Sequence, residues 1–502
     1  MQQPTPQPVT RGAWLALIAA YLGWLFDGYE MGIFALVARP ALRELLGPTQ
    51  IGNVERWYAL SQAGFLVGAA TGGVLFGWLG DWLGRVRALM LSILVYALIT
   101  GACGLAQSSW QLAMLRSLAA LGMGGEWALG VALVMELWPN RSRAWLAGLI
   151  GSAVNLGFVL VACLSLLYQP FLATLTSVFK IIHLPDATIT FLTQHSGWRL
   201  FLILSIFPAG LVFFIRKWVP ESERWLAPYT QSRLMLNTRA ALFSIMTGAA
   251  CAVLVLLLWA IEIAWPWRWV GTVIGLSAAA WGFLGPLQQF VRSAKVPDYS
   301  PGPFPATVSL YKRVAIGCGL SCIPLIGTWA VTQWLPLWAD ELTAGRVSDA
   351  RSLTMLWSAL GATLSTLLLT PWVDRLGRRL LYAFLCVGAL TSLLLFLNTC
   401  QSFDGWFLFM NTISGFFVGG FYGWLALYLP ELYPTPVRAL AQGFAYNFGR
   451  IIAAAATLQT GALLTLFDQD YPLACSVVSM VYLLGIGLIG MTPSRHEGTL
   501  PE

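Results

Sequence analysis

Ionisable side chains are scarce in this chain. Asp, Glu, Lys and Arg make up 10% of its 502 residues, where a soluble domain carries roughly 25%. The eight cysteines (Cys103, Cys163, Cys251, Cys318, Cys322, Cys386, Cys400 and Cys475) are scattered through apolar stretches, with no CxxC pair and no His/Cys cluster. Neither a metal site nor a disulfide framework is indicated. No Walker A loop and no dinucleotide fingerprint follows a strand, which argues against ATP-driven work within the chain. No nucleophile–histidine–acid triad has a loop large enough to house it, so an enzyme is not expected. The lone loop histidines His183 and His195 receive no role. The N-terminal MQQPTPQPVTR lacks a cleavable signal layout, and the first apolar run is too long for a signal peptide. An uncleaved first span is expected.

Apolar residues dominate instead, at 58% of the chain and a mean hydropathy of +0.71. Runs of about 20 apolar residues, the length that crosses a bilayer, recur about fourteen times. They fall near 13–38, 57–79, 86–106, 110–137, 144–171, 198–218, 240–262, 269–291, 308–338, 352–373, 380–398, 404–429, 438–465 and 472–491. An all-α polytopic membrane protein is the expected fold class, and the 24 tryptophans suit its two membrane–water interfaces. With the N-terminus inside, most of the 29 Lys and Arg fall on the cytoplasmic side. Only Arg39, Arg43, Arg56, Lys180, Arg199, Arg268, Arg346 and Arg351 lie outside, and Arg116 and Arg450 remain within spans. This bias places both termini in the cytoplasm. The net charge of +7 therefore follows topology and is not read as a nucleic-acid footprint.

An internal repeat organises the spans. GDWLGRVR (Gly80–Arg87) follows the second span, and VDRLGRRL (Val373–Leu380) follows the second span of the last six. ELWPNRSRA (Glu136–Ala144) and ELYPTPVRA (Glu431–Ala439) follow the respective fourth spans, with Gly124-Gly125 and Gly419-Gly420 at matching offsets upstream. Two six-helix bundles repeated in parallel are a transporter signature. The expected domains are 1–228, a first bundle; 229–306, a central segment with two extra spans; and 307–502, a second bundle.

With these motifs the chain resembles the major facilitator superfamily over nearly its whole length. GDWLGRVR is similar to that family's short inter-helix motif, and PESERW (Pro220–Trp225) is similar to its mid-chain signature. Within the family it most resembles the sialic-acid/proton symporters and neighbouring organic-acid/proton symporters. LFDGYE in the first span, RSLAALGMGGEW (Arg116–Trp127) in the fourth, FAYNFGR (Phe444–Arg450) late in the chain and the extra central pair carry that likeness. Many members of that group have Asp where Glu30 stands here.

A few embedded polar residues stand out. An acid at the centre of a spanning helix costs about 2.5–3.5 kcal/mol on insertion scales, so it persists where it faces a cavity or a partner. Asp27, Glu30 and Glu126 are the candidate proton-coupling residues. A static salt bridge is the competing reading for the first two, and a hydrogen bond across a tight helix crossing for Glu126. Glu126 has Phe421 at its repeat position, so it is not a shared scaffold feature. Arg116 lies ten residues from Glu126, about 15 Å along one helix. It is expected to pair with Glu30 or Asp27, either statically or in exchange with proton or substrate. Arg450 is the candidate holder of a substrate carboxylate, since an arginine can grip it bidentately. Asn155, its repeat counterpart, and Asn447, one turn earlier, would assist it. Gln333 and Tyr446 are further candidates for the substrate site, alongside Trp329 and Tyr422, with ordinary packing as the alternative for each.

The resemblance implies that Asp81, Arg85, Glu136, Arg143, Asp374, Arg378, Glu431 and Arg438 form the charge network closing the inward gate. Gly64, Gly68 and Gly72 form a small-residue ridge suited to close packing, possible also as a sliding surface. The expected function is proton-coupled uptake of an organic anion, sialic-acid-like or another carboxylate, by alternating access. A neutral-sugar carrier, a proton-driven exporter and a non-transporting sensor or scaffold are the alternatives. No cofactor beyond the proton gradient and no nucleic-acid partner is expected. The expected setting is the bilayer of a bacterial inner membrane, with the chain a monomer.

Overall fold

The structure is a computed structural model that describes residues 10–138, 143–226, 238–260, 263–293, 309–344, 346–347, 349–468 and 470–492. Arg141, Arg233, Lys295, Arg495 and Glu262, assigned to loops or a span end from sequence, lie outside the described residues. The helices at the expected spans are α1 (Arg11–Leu46), α2 (Val54–Leu83), α3 (Arg85–Cys103), α4 (Ser109–Leu137), α5 (Arg143–Leu166) and α6 (His195–Trp218). The central pair is α7 (Thr238–Ala260) and α8 (Trp265–Phe283). The last six are α9 (Leu310–Thr343), α10 (Ala350–Leu369), α11 (Arg378–Thr399), α12 (Gly405–Leu432), α13 (Arg438–Leu466) and α14 (Tyr471–Ile489).

Eleven helical stretches among the described residues are long and apolar enough to cross a membrane. They are the numbered helices other than α1, α8 and α13. Those three are helices of 36, 19 and 29 residues. They occupy the places that the charge bias assigns to spans.

Side-chain oxygens set several helix starts. Thr10 accepts from Ala13 N at 3.2 Å, Ser108 from Gln111 N at 3.2 Å and Asp404 from Phe407 N at 2.9 Å. Each satisfies one donor that the first turn leaves unpaired. The repeat also extends to the backbone. Gly84 and Gly377, at equivalent places in the two loop motifs, have φ of 105° and 84°. A side chain there would be strained, so glycine lets each half turn from its second helix into its third in the same way.

Two departures from the expected spans have local causes. The fifth span ends at Leu166, and a separate helix, Tyr168–Ile181, follows in the outer loop before another at Asp186–Thr193. The apolar run continues across that break, so hydropathy alone merges the two helices. In α6, the Phe207–Gly210 turn with Pro208 interrupts the α-helix, because proline has no N–H to continue the ladder.

The two halves meet along two related seams. The second helix of each half packs on the fifth helix of the other: α2 on α13, and α10 on α5. Backbones approach closely there. Gly73 lies against Asn447, Gly77 against Ala439, Gly148 against Thr366 and Gly151 against Gly423. The extra helix α7 packs on α2, and both extra helices touch α13. The ridge Gly64, Gly68 and Gly72 turns instead toward Ser117 and Leu121 of α4. It is close packing inside the first bundle, and the inter-bundle face of α2 begins one residue later, at Gly73.

Candidate functional site

Helix α1 carries its two acids to different partners. Glu30 is ion-paired with Arg116 of α4, and Thr100 of α3 donates to the same carboxylate oxygen at 3.2 Å. The Arg116 guanidinium is also sandwiched by Phe34 and Phe65, at 4.3 and 4.4 Å from the ring centroids. These are cation–π distances. Of the two partners expected for Arg116, the structure supplies Glu30, and it encloses the pair in aromatic surface.

Asp27 faces a different group. Its carboxylate lies near those of Glu126 and the guanidinium of Arg450, close enough for each charge to act on it. Glu126 reaches this place because α1 has Gly23 one turn before Asp27. Any side chain at position 23 would collide with the Glu126 carboxylate. All three groups are buried. Among the described residues, Oδ1 of Asp27, both carboxylate oxygens of Glu126, and Nε and Nη1 of Arg450 have no hydrogen-bond partner. Buried polar groups are normally satisfied, so such a cluster marks a place where something else binds or a proton resides.

Arg450 is positioned by aromatic stacking. Its guanidinium lies over the Tyr446 ring at 5.1 Å. Tyr446 stacks in turn on Trp127 of α4, with centroids 4.0 Å apart and planes 13° from parallel. This stack joins the two halves just beside the Asp27–Glu126 pair.

The other expected binding residues separate into two places. Asn155 and Gln333 line a cavity of about 100 Å³ together with Thr328, Asn411 and Tyr422. The Asn155 amide donates to Gly151 O at 3.1 Å, and the Tyr422 hydroxyl to Thr328 at 2.8 Å. Asn447 is not among the cavity-lining residues. Its amide donates to Gly124 O at 3.1 Å and Gly443 O at 3.0 Å, clasping α13 to α4.

The charged loop motifs gather at one end of the molecule. Arg85 donates to Asp81 at 2.5 Å, to Glu136 at 3.3 Å and, across the halves, to Thr435 O at 3.1 Å. Arg438 of the second half reaches Glu136 at 3.0 Å, and Asp81 accepts from Leu440 N at 2.9 Å. Arg378 pairs with Glu431 at 3.0 Å and Asp374 at 3.3 Å. The Arg143 charge acts on Glu431 from the first half, the repeat mate of the Arg438–Glu136 contact. At the opposite end the described contacts between the halves include a Ser165–Ser352 hydroxyl contact of 2.7 Å and Phe65 beside Trp329 at 6.0 Å.

Sequence reading missed the residues that brace this network. Ser222 donates to Glu136 at 2.5 Å, and the Trp225 indole donates to Asp81 O at 2.9 Å. Glu221 caps α3, accepting from Arg85 N at 2.9 Å and Val86 N at 3.1 Å. Burial pushes the Glu221 carboxyl above its ordinary value, partly offset by those backbone donors and by Arg85. All three lie in PESERW, a segment whose position after the sixth span was the available signal.

The fold matches solved transporters along its entire length. A solved proton:xylose symporter of the major facilitator superfamily superposes with a TM-score of 0.67, covering 98% of each chain at 16% identity. A family model described as "Sugar (and other) transporter" matches residues 15–252. The chain has the fold of the major facilitator transporters. Among curated proteins similar to this chain is the cis,cis-muconate transport protein of Acinetobacter baylyi. It is 26% identical over 455 residues, which are 89% of this chain and 87% of that one. The sialic acid transporter of Escherichia coli is 28% identical over 215 residues, 42% of this chain and 45% of that protein. These relatives are named as carriers rather than enzymes.

Proposed function

We propose that this transporter moves an organic anion together with a proton, by alternating exposure of a central site. The observation that carries the proposal is Arg450, a buried arginine at the meeting of the two halves with two donors unpaired. A carboxylate from the substrate would satisfy one of those donors in a charge-assisted hydrogen bond. Asn155 and Gln333, on the neighbouring cavity, would contact the rest of the molecule. Relatives named for muconate and sialic acid transport support an acidic substrate.

Asp27 and Glu126 would handle the proton. Two carboxylates crowded in low-dielectric surroundings repel each other, and one shared proton relieves the repulsion. Arg450 would offset the remaining negative charge while the site is empty. When a substrate carboxylate takes Arg450, that compensation is withdrawn and a proton must enter with the anion. Carrying one proton with one monoanion keeps the cycle electroneutral. Glu30, locked to Arg116, would hold α1 and α4 together near the site. The charge network around Glu136 would keep one end shut while the other opens.

The further assignments are fourteen spans, bundles at 1–228 and 307–502 with an inserted 229–306 segment, both termini inside, and a monomer in a bacterial inner membrane.

The test is uptake by proteoliposomes offered sialic, sugar and simple carboxylic acids, with and without an inward proton gradient. Gradient-driven accumulation of at least one acid is expected. Indifference to the gradient for every transported acid would sink the coupling. Transport of neutral sugars alone, or of apolar compounds outward, would replace the anion reading, and no transport of any kind would favour a sensor. Arg450→Ala should raise KM for the acid by roughly 10–100-fold, the loss expected for a charge-assisted pair. Asp27→Asn should leave substrate exchange but abolish its dependence on the gradient.

A further inference from the structure

We propose that a groove between α11 and α14 holds an anionic phospholipid of the surrounding bilayer, with its phosphate at Arg379. The groove has a volume of about 390 Å³ and is lined by Leu376, Arg379, Leu380, Ala383, Ile486 and Ile489, with Gly377 and Gly490 at its ends. Its walls are aliphatic, and no carboxylate is among the described residues that line it. Arg379 donates to Gly490 O, where α14 ends, which holds the guanidinium beside the apolar floor.

The charge around the groove is unbalanced. Asp374 and Glu431, the nearby acids, are both taken by Arg378. Among the described residues neither Arg375 nor Arg379 has a salt-bridge partner. Arg375 lies over the ring of Trp372 at 5.8 Å, and that indole is exposed. An exposed tryptophan beside arginines is the arrangement found at headgroup depth. The site is therefore cationic at the interface and aliphatic below it. A free phosphate would use the arginine and leave the aliphatic walls idle. A phospholipid uses both, because burying an acyl chain adds favourable apolar contact and the phosphate pairs with guanidinium.

The test compares full-length transporter in detergent with dioleoylphosphatidylglycerol, dioleoylphosphatidylcholine or inorganic phosphate, reading lipid retention by native mass spectrometry and the thermal unfolding midpoint. The anionic lipid should be retained about fivefold better than the zwitterionic one, the factor one basic group contributes near an anionic surface. It should also raise the unfolding midpoint. Arg379→Ala should remove that preference, and Arg379→Lys should keep it. Ala383→Trp, which fills the groove and alters no charge, should reduce retention of the anionic lipid. Equal retention of the two lipids would overturn the proposal. So would unchanged retention in Ala383→Trp, or a phosphate effect as large as that of the anionic lipid.

Discussion

Asp81, Arg85 and Glu136 in the first half correspond in sequence to Asp374, Arg378 and Glu431 in the second, yet the two clusters are built differently. The Arg85 and Asp81 side chains are 0% and 3% exposed, against 11% and 55% for Arg378 and Asp374. The first cluster bonds directly to the other half, through Thr435 O, Arg438 and Leu440 N. In the second, Arg378 grips Glu431 while its carbonyl accepts from Trp424 at 2.8 Å, and Arg143 of the first half acts on Glu431 through its charge. The first is also braced by Glu221, Ser222 and Trp225. The segment following α14, where a counterpart would fall, lies outside the described residues. The repeat thus gives the same local motif twice, and among the described residues the mid-chain segment braces the first copy.

That difference can be tested by paired substitutions. The largest effect is expected for Glu136→Ala, which strands Arg85 and Arg438 without their shared carboxylate. Breaking a buried pair in this way costs about 3–5 kcal/mol. Glu431→Ala removes the carboxylate that Arg378 holds and that faces Arg143, but leaves Arg378 its bond to Asp374, and should cost about 1–3 kcal/mol. Thermal unfolding in detergent would rank the two, and equal shifts would erase the distinction. Next come Asp81→Asn, at about 1–3 kcal/mol because its carboxylate serves Arg85 and Leu440 N, and Asp374→Asn, within about 0.5 kcal/mol as for an ordinary surface change. A large loss for Asp374→Asn, by the same measurement, would mean the second cluster is also a lock.

Trp225→Phe should remove about 1 kcal/mol by deleting one indole hydrogen bond. Labelling of an introduced cysteine in the seam should rise with it. The smallest effect concerns pH. The Glu221 carboxyl sits above its ordinary value in the fold, so ionising it is harder in the folded state than in the unfolded chain. Wild-type stability relative to Glu221→Gln should therefore fall as pH rises from the ordinary carboxylate value through the raised one. A difference that stays flat with pH would assign Glu221 to capping alone.

Much of the fold was legible in the sequence, because the evidence for it is periodic. Apolar runs, charge bias and the repeated loop motifs each recur, so errors in one copy are corrected by the other. The embedded acids were legible for a related reason: a charge in an apolar run has few places to go. Their sorting was not. Whether Arg116 meets Asp27 or Glu30 depends on the rotation of α1 against α4, set by Gly23 and by Phe34 and Phe65, residues with no charge to draw notice. Asn447 illustrates the converse. It sits in the same motif as Arg450, but close approach of Gly73 and Gly124 turns its amide into a clasp. The roles of Ser222 and Trp225 arise only from long-range packing, and their local sequence shows no pattern for it.

The glycine contacts along the seams bear on speed. Interlocked side chains act as gear teeth, and shifting one helix past another means lifting each tooth out of its socket. Where Gly73, Gly77 and Gly443 meet the opposing chain, and where Gly151 meets Gly423, backbone lies against backbone. Few teeth need to disengage at those points, and in the first seam Asn447 and the Tyr446–Trp127 stack are the side chains that must release. If the halves turn as proposed, the resistance lies at those side chains and at the ion pairs of the loop motifs, and the pace of the cycle would follow how quickly they let go.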